Sequence, residues 1–278
     1  MRIDDGYIKN NYQGKLYYKT WLPEGKPKAV IAILHGVGEH LKRYKNFVHL
    51  LVPNGYALTA FDQRGHGLSD GKRGHVDHWQ VYRDDLKSFL EIVRDAFADS
   101  SIFLYGHSMG ALVALDYEMH EHPQGIHGLI LSGTPLEPAD AAAPAQVFIA
   151  KILSGIYPKF TMKVKLPGSS LSRDPLEASA YDEDPLVYRE RSARWGTETL
   201  NIVAWINNHP EQVSLPVLFI QGEQDPLVRA EGVQRFYNQI KFPDKTIYIY
   251  PDTLHEPHND LCFEQVIGDI ESWIAKHP

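Results

Sequence analysis

The sequence predicts an α/β fold: a mostly parallel eight-stranded sheet flanked by helices, with a helical cap inserted after the sixth strand. Three observations lead there. Short β-rich runs alternate with amphipathic helical stretches, the pattern that builds a parallel sheet covered on both faces. The runs AVIAIL (29–34) and PVLFIQ (216–221) are apolar almost throughout, as strands buried on both faces must be. From Gly133 to Pro216 the alternation stops for far longer than one helix and its loops require, so a segment is inserted there.

In chain order, strands are expected at Tyr7–Tyr12 and Lys15–Leu22. Only Gln13 and Gly14 separate them, which predicts a two-residue hairpin. Further strands are read at Ala29–Leu34, Tyr56–Phe61, Ile102–Tyr105, Gly128–Ser132, Val217–Gln221 and Thr246–Tyr250. Apolar residues at 82, 86, 89, 90, 93 and 97 share one helical face, so Tyr82–Phe97 is read as a crossover helix. Ala111–Met119 and Leu261–Ile274 are read the same way. The insertion is broken by Pro144, Pro158, Pro167, Pro175 and Pro185 and carries a run of apolar residues from Val147 to Ile156. It reads as a cap over the sheet edge with a return helix near Leu200–Ile206. The expected organisation is a core part at 1–134, a cap at 135–206 and the rest of the core at 207–278.

The chain of 278 residues has a formal net charge of −7, which argues against sequence-independent nucleic-acid binding and against a polybasic membrane anchor. Cys262 is the single cysteine, so no intramolecular disulfide can form and a reducing compartment fits best. The polar start of the chain lacks the apolar core of a secretory signal, and no run approaches the roughly 20 apolar residues of a membrane span. A cytoplasmic protein is expected, with transient contact to a lipid surface open to it.

The strongest local chemical signal is Gly106-His107-Ser108-Met109-Gly110, directly after a strand and before a helical stretch. A serine on such a turn is held in a strained backbone conformation with its hydroxyl lifted above the sheet, and the glycines let the chain bend. The helix that starts there directs its partial positive end toward an anion forming beside Ser108. A serine hydroxyl needs a base to take its proton during attack. His255 is the first histidine in the loop after the last strand; His258 is the alternative. The base needs a carboxylate to fix its tautomer. Asp225, in Gly222-Glu223-Gln224-Asp225-Pro226 after the penultimate strand, supplies it, with Glu223, Asp252 and Glu137 as substitutes. Negative charge developing on a reacting carbonyl oxygen requires donors fixed in advance. His35-Gly36-Val37-Gly38-Glu39-His40 follows the third strand, and the backbone N–H groups of Val37 and Met109 are assigned to that role. His35 itself packs or orients the loop.

Other chemistries find no complete motif. His75-Val76-Asp77-His78 has Arg73 where an H-x-H-x-D-H metal motif needs its first histidine. There is no phosphate-binding G-x-x-x-x-G-K-[ST] loop, and Gly36-x-Gly38 lacks the third glycine of a dinucleotide fingerprint. No metal and no cofactor are expected. Cys262 reads as a packing residue.

These residues resemble the α/β-hydrolase superfamily, and within it the monoacylglycerol lipase and lysophospholipase-like branch, which includes serine aminopeptidase S33-type hydrolases. The resemblance spans nearly the whole chain. It rests on HGVGEH (35–40), FDQRGHGLSDGKRG (61–74), GHSMG (106–110), SRDPLEASAYDEDPLV (172–187), GEQDPLV (222–228) and the LHE around His255. It implies that Ser108, Asp225 and His255 form a catalytic triad and that Val37 and Met109 donate to the oxyanion. Ala111 departs from the second glycine found after this motif in many superfamily members.

The expected function is a cofactor-free serine hydrolase of carboxylic esters, of monoacylglycerol or lysophospholipid type, working through an acyl-enzyme on a small ester or lipid substrate. Val147, Phe148, Ile152, Leu153 and Ile156 are candidates to line an acyl tunnel or lie on a lipid surface; the alternative is that they pack the cap onto the body. The same triad used on an amide, a C–C bond or in perhydrolysis is the second reading. An aminopeptidase would need cap carboxylates such as Glu177, Asp182, Glu183 and Asp184 to hold a substrate ammonium. A non-catalytic binding protein with the same fold is the third.

Overall fold

A computed structural model of the chain describes residues 1–9, 12, 14–139 and 144–278, with the backbone alone for 144–149. Its centre is an eight-stranded sheet of β1 (Arg2–Lys9), β2 (Lys15–Leu22), β3 (Val30–Leu34), β4 (Ala57–Phe61), β5 (Ile102–His107), β6 (Gly128–Ser132), β9 (Val217–Gly222) and β10 (Lys245–Tyr250). The strand order is β1-β2-β4-β3-β5-β6-β9-β10, and the six strands from β4 to β10 are mutually parallel. β2 runs antiparallel to both its neighbours.

The continuous apolar runs become central strands, because successive side chains of a strand enter opposite layers. In β3, Val30, Ala32 and Leu34 pack into one core with Leu86, Phe89 and Leu112, whereas Ile31 and Ile33 enter the other with Phe47, Leu51 and Trp273. The first layer is covered by α2 (Gln80–Ala96) and α3 (Met109–Glu121), the second by α1 (Lys45–Leu51) and α8 (Phe263–Ile274). Along α2, Val81, Tyr82, Leu86, Phe89, Leu90 and Val93 all face inward, as the apolar spacing requires.

Three elements differ from expectation. β1 begins at Arg2 and ends at Lys9, which pairs with Lys15, so the strand does not run to Tyr12 and the pairing closes at Lys9 and Lys15. Ile8 is the one fully buried residue of this edge strand; its place is set by the β2 ladder and not by its own polar sequence. α6 runs Ala193–Asn208, far longer than Leu200–Ile206, because Ser192 caps it by accepting from the Trp195 N–H at 3.1 Å. α3 starts at Met109, immediately after Ser108.

Between β6 and β9 the chain forms α4 (Pro144–Ile156), β7 (Thr161–Lys163), α5 (Pro175–Glu183), β8 (Glu190–Ser192) and α6. β7 and β8 make a separate antiparallel pair, which the sequence reading did not anticipate. Asp174 caps α5 by accepting from the Leu176 N–H at 2.9 Å, with Pro175 in the first turn. After β9, α7 (Ala230–Gln239) returns the chain to β10.

Candidate active site

The site lies at the carboxyl ends of β3, β5, β9 and β10, where the loops of a parallel sheet converge. At the turn from β5 to α3, Ser108 has φ 52° and ψ −117°, a conformation an L-residue holds only when its surroundings impose it. Those surroundings are visible. A Cβ on Gly106 would lie 2.5 Å from the Gly110 carbonyl oxygen, and one on Gly110 would lie 2.3 Å from that of Leu34. The motif glycines therefore allow the turn to press against β3, and the Ser108 N–H is anchored by the Ser132 carbonyl at 2.8 Å.

Asp225 leaves β9 in a turn that uses every lone pair it presents. Its Oδ1 accepts from the N–H groups of Leu227 (2.8 Å) and Val228 (3.0 Å), and its Oδ2 accepts from Gln221 Nε2 (2.9 Å) and from His255 Nδ1 (2.8 Å). Burial pushes this carboxyl up, but the His255 ring and these donors outweigh it and hold the group below the usual carboxylate range. For His255, burial favours the neutral ring; the Asp225 charge and hydrogen bond prevail and raise its pKa above the ordinary histidine value. Asp225 fixes the Nδ1–H tautomer, which leaves Nε2 with a free lone pair.

The alternatives are placed elsewhere. His258 is fully buried, meets the Tyr105 hydroxyl at 3.1 Å through Nδ1 and stacks on Tyr44; burial pulls its pKa down to about 4. Glu223 and Asp252 are exposed, and Glu137 is paired with Arg229 and Arg235.

The loop after β3 is held from below. Gln63 N–H donates to His35 Nε2 at 2.9 Å, which puts the proton on Nδ1, and that nitrogen donates to the Gly36 carbonyl at 2.7 Å. His35 thus orients the loop, as its sequence position suggested. Gly36 N–H donates to Glu39 Oε1 at 2.5 Å. Among the described residues, the N–H groups of Val37 and Met109 have no protein acceptor. Ser108, His255 and Val37 line one cavity of about 70 Å³, walled by Leu166, Leu171 and Tyr181 of the inserted segment and by Leu227. No direct hydrogen bond joins Ser108 to His255 in this arrangement.

Ile152 and Ile156 are exposed, the latter at 80%, and neither they nor Leu153 line this cavity. The side chains of Val147 and Phe148 fall outside the described residues. The sequence reading also missed a buried ion-pair cluster whose two acids, Glu39 and Glu256, line the same cavity. Arg43 donates through Nε to Glu39 (3.1 Å) and through Nη2 to Glu256 (2.6 Å), which also accepts from Asn259 (2.9 Å). Burial, with Glu256 nearby, pushes Glu39 up to about 7. The motifs HGVGEH and LHE contain both acids, so the signal was on the page without a partner to explain it.

Among the described residues no group of histidine, cysteine and acidic side chains is arranged to hold a metal ion, and no helix is long and apolar enough to cross a membrane. His75 meets Ser192 Oγ at 2.8 Å and Asp77 at 3.2 Å.

The model of the serine aminopeptidase, S33, family (Hydrolase_4) matches residues 25–261. The chain is 32% identical to the monoglyceride lipase of Mus musculus over 264 residues, covering 94% of this chain and 86% of that one. It is 27% identical to the monoacylglycerol lipase of Mycolicibacterium smegmatis, covering 95% and 94%. The crystal structure of Paleococcus ferrophilus monoacylglycerol lipase superposes with a TM-score of 0.85 at 30% identity, over 95% of this chain and 99% of that one. A strained serine at the end of a central strand, a buried acid–histidine pair past the ends of β9 and β10 and a family match over most of the sequence lead to one conclusion: the chain belongs to the serine aminopeptidase S33 family of α/β-hydrolases, among relatives that cleave carboxylic esters.

Proposed function

We propose that this carboxylic ester hydrolase acts on single-chain lipid esters, monoacylglycerols or lysophospholipids, through an acyl-enzyme on Ser108. The observation that carries the reading is the 2.8 Å hydrogen bond from His255 to Asp225 beside a serine in a strained turn. His255 Nε2 takes the Ser108 proton as Oγ attacks the ester carbonyl. The tetrahedral oxyanion is held by the N–H groups of Val37 and Met109, at the positive end of α3. The alkoxide leaves as His255 returns the proton. Water, deprotonated by the same ring, then releases the acid and regenerates Ser108.

The lipid preference is supported by the relatives' substrates and by the apolar wall of Leu166, Leu171, Tyr181 and Leu227 around Ser108. At about 70 Å³ the cavity is well below the 300 Å³ at which ligand pockets usually begin. Admitting an acyl chain calls for Leu166, Leu171 and Tyr181 on its wall to give way. The carboxylates an aminopeptidase would need are engaged elsewhere: Glu177 with Lys45, Asp182 with Arg189 and Asp184 with His40. None of these lines the cavity, and the two acids that do, Glu39 and Glu256, are both tied to Arg43, which favours esters over aminoacyl amides.

The test is turnover of monoacylglycerols of increasing chain length, lysophosphatidylcholine, short nitrophenyl esters and aminoacyl amides, with Ser108→Ala as control. Ester turnover that rises with chain length and vanishes in Ser108→Ala is expected. Amide turnover exceeding ester turnover would overturn the substrate class, and activity that survives Ser108→Ala would overturn the mechanism.

A further inference from the structure

β8 sits between two parts of the molecule. Through backbone pairing it belongs with β7 of the inserted segment, where Arg191 faces Met162. On its other side it is fastened to two loops of the body: Tyr188 N–H donates to the Gly38 carbonyl at 2.9 Å, and Ser192 N–H to that of Gly74 at 2.7 Å. The approach is close enough that a Cβ on Gly38 would lie 2.4 Å from the Tyr188 carbonyl oxygen and 3.0 Å from Arg191 Nη2, and a Cβ on Gly74 would lie 2.0 Å from that of Glu190. The Tyr188 hydroxyl donates to His66 Nε2 at 2.7 Å, since His66 Nδ1 donates to the Arg64 carbonyl at 2.9 Å.

Within this seam lies a cation that the mechanism above does not use. Arg191 is 8% exposed, yet among the described residues it forms no ion pair with any carboxylate. Arg43, equally buried, has two. Burying a guanidinium without an anion is costly, and burial draws its pKa down. What Arg191 has instead is two carbonyls and two rings. Nη1 donates to the Glu190 carbonyl at 2.9 Å, Nη2 to the Val37 carbonyl at 3.3 Å, and the guanidinium lies 5.4 Å from the Tyr188 ring centroid and 5.5 Å from that of Trp195. A planar fork held between aromatic faces fixes direction in a way a flexible ammonium does not.

We propose that Arg191 is a positioning residue for the proposed reaction: from β8 it holds the Val37 carbonyl, and so keeps the 36–38 loop turned with the Val37 N–H toward the reacting carbonyl. The oxyanion loop is then correctly set only while β8 is seated, which couples the seating of the inserted segment to the chemistry. This rests on the assignment of Val37 as an oxyanion donor.

The test compares wild type, Arg191→Gln and Arg191→Lys on a monoacylglycerol and a nitrophenyl ester. Each is also measured with a trifluoromethyl ketone, which forms an oxyanion on Ser108, and with a non-hydrolysable ether analogue of the substrate. Arg191→Gln is expected to lose about 10- to 100-fold in kcat, less than the 10²–10³ lost when an oxyanion donor is deleted outright. KM and ether affinity stay within about threefold, whereas trifluoromethyl ketone affinity falls in parallel with kcat/KM, as it must if the transition state is what is lost. Arg191→Lys, which reaches one carbonyl but not both, recovers part of the loss. Wild-type kcat in Arg191→Gln, or ether affinity falling as far as kcat, overturns the inference. Should Arg191→Gln fail to fold, Arg191→Lys carries the test, and wild-type kcat there overturns it. Absence of Ser108-dependent ester turnover in the wild-type protein rejects the parent reading instead, so the two failures are distinct.

Discussion

Replacing Asp225 by Asn changes one atom in a site where each lone pair has a donor. Its Oδ1 faces two backbone N–H groups and its Oδ2 faces Gln221 Nε2 and His255 Nδ1. An asparagine that keeps its oxygen on the backbone donors turns its NH₂ toward His255 and toward Gln221, whose amide must flip to present its unpartnered Oε1. The ring must then place its proton on Nε2, the nitrogen that has to accept from Ser108. The reverse flip sets the NH₂ against two N–H groups and is worse. Asp225→Asn is therefore expected to fold with nearly native geometry and to lose about 10⁴ in kcat, the size of loss this substitution causes in a serine-protease triad. At 1.36 kcal/mol per decade that is about 5.4 kcal/mol of transition-state stabilisation. The assay is kcat/KM on a nitrophenyl ester from acid to alkaline pH, with thermal unfolding as a fold control. With that charge gone, burial of the ring is opposed only by Glu256 and Glu39, so the residual activity should titrate at lower pH than in the wild type. A folded variant within tenfold of wild type, with an unmoved pH profile, would refute the tautomer argument.

Other outcomes follow from the same geometry. Wild-type kcat/KM should be full above the free-enzyme pKa of His255, which lies above the ordinary histidine value, and should fall as acid protonates the ring; a rate flat through mild acid would contradict His255 as base. Ser108→Gly and Ser108→Ala should both be inactive, with the glycine variant more stable by about 1 kcal/mol because only glycine is at ease at φ 52°; equal denaturant midpoints would argue against strain at this turn. Arg43→Met strips the cation from two buried carboxylates and should cost about 3–5 kcal/mol of stability by chemical denaturation. Gly110→Ala drives a methyl into the Leu34 and His35 carbonyls and should destabilise the protein by about 1–3 kcal/mol while lowering activity.

What could be read from the sequence follows from where the information lies. β3, β4, β5, β6 and β9 are buried on both faces and could be recognised as uninterrupted apolar runs. β1 was misplaced because Arg2, Ile3, Asp4 and Asp5 are all exposed, so no alternation marks them. α1 has seven residues, too few to display a helical period, and α7 buries only Gly232, Val233 and Phe236. Ser108, Asp225 and His255 could be singled out as candidates because each follows a strand end in the sequence, and the structure brings His255 and Asp225 within 2.8 Å. Arg43 pairs with Glu256 across 213 positions and Arg191 reaches Val37 across 154, and no local spacing encodes such meetings. The apolar stretch of α4 could not be oriented for a related reason: hydrophobic character does not say which way a residue faces, and Ile152 and Ile156 face outward, away from the cavity at Ser108.

The most direct measurement is mass spectrometry of the protein after reaction with a fluorophosphonate. A single adduct mapped to Ser108, formed quickly in the wild type, slowly in His255→Ala and not at all in Ser108→Ala, is the predicted result. Hydrolysis of esters by a chain whose Ser108 stays unmodified, or whose adduct sits on another side chain, would contradict it.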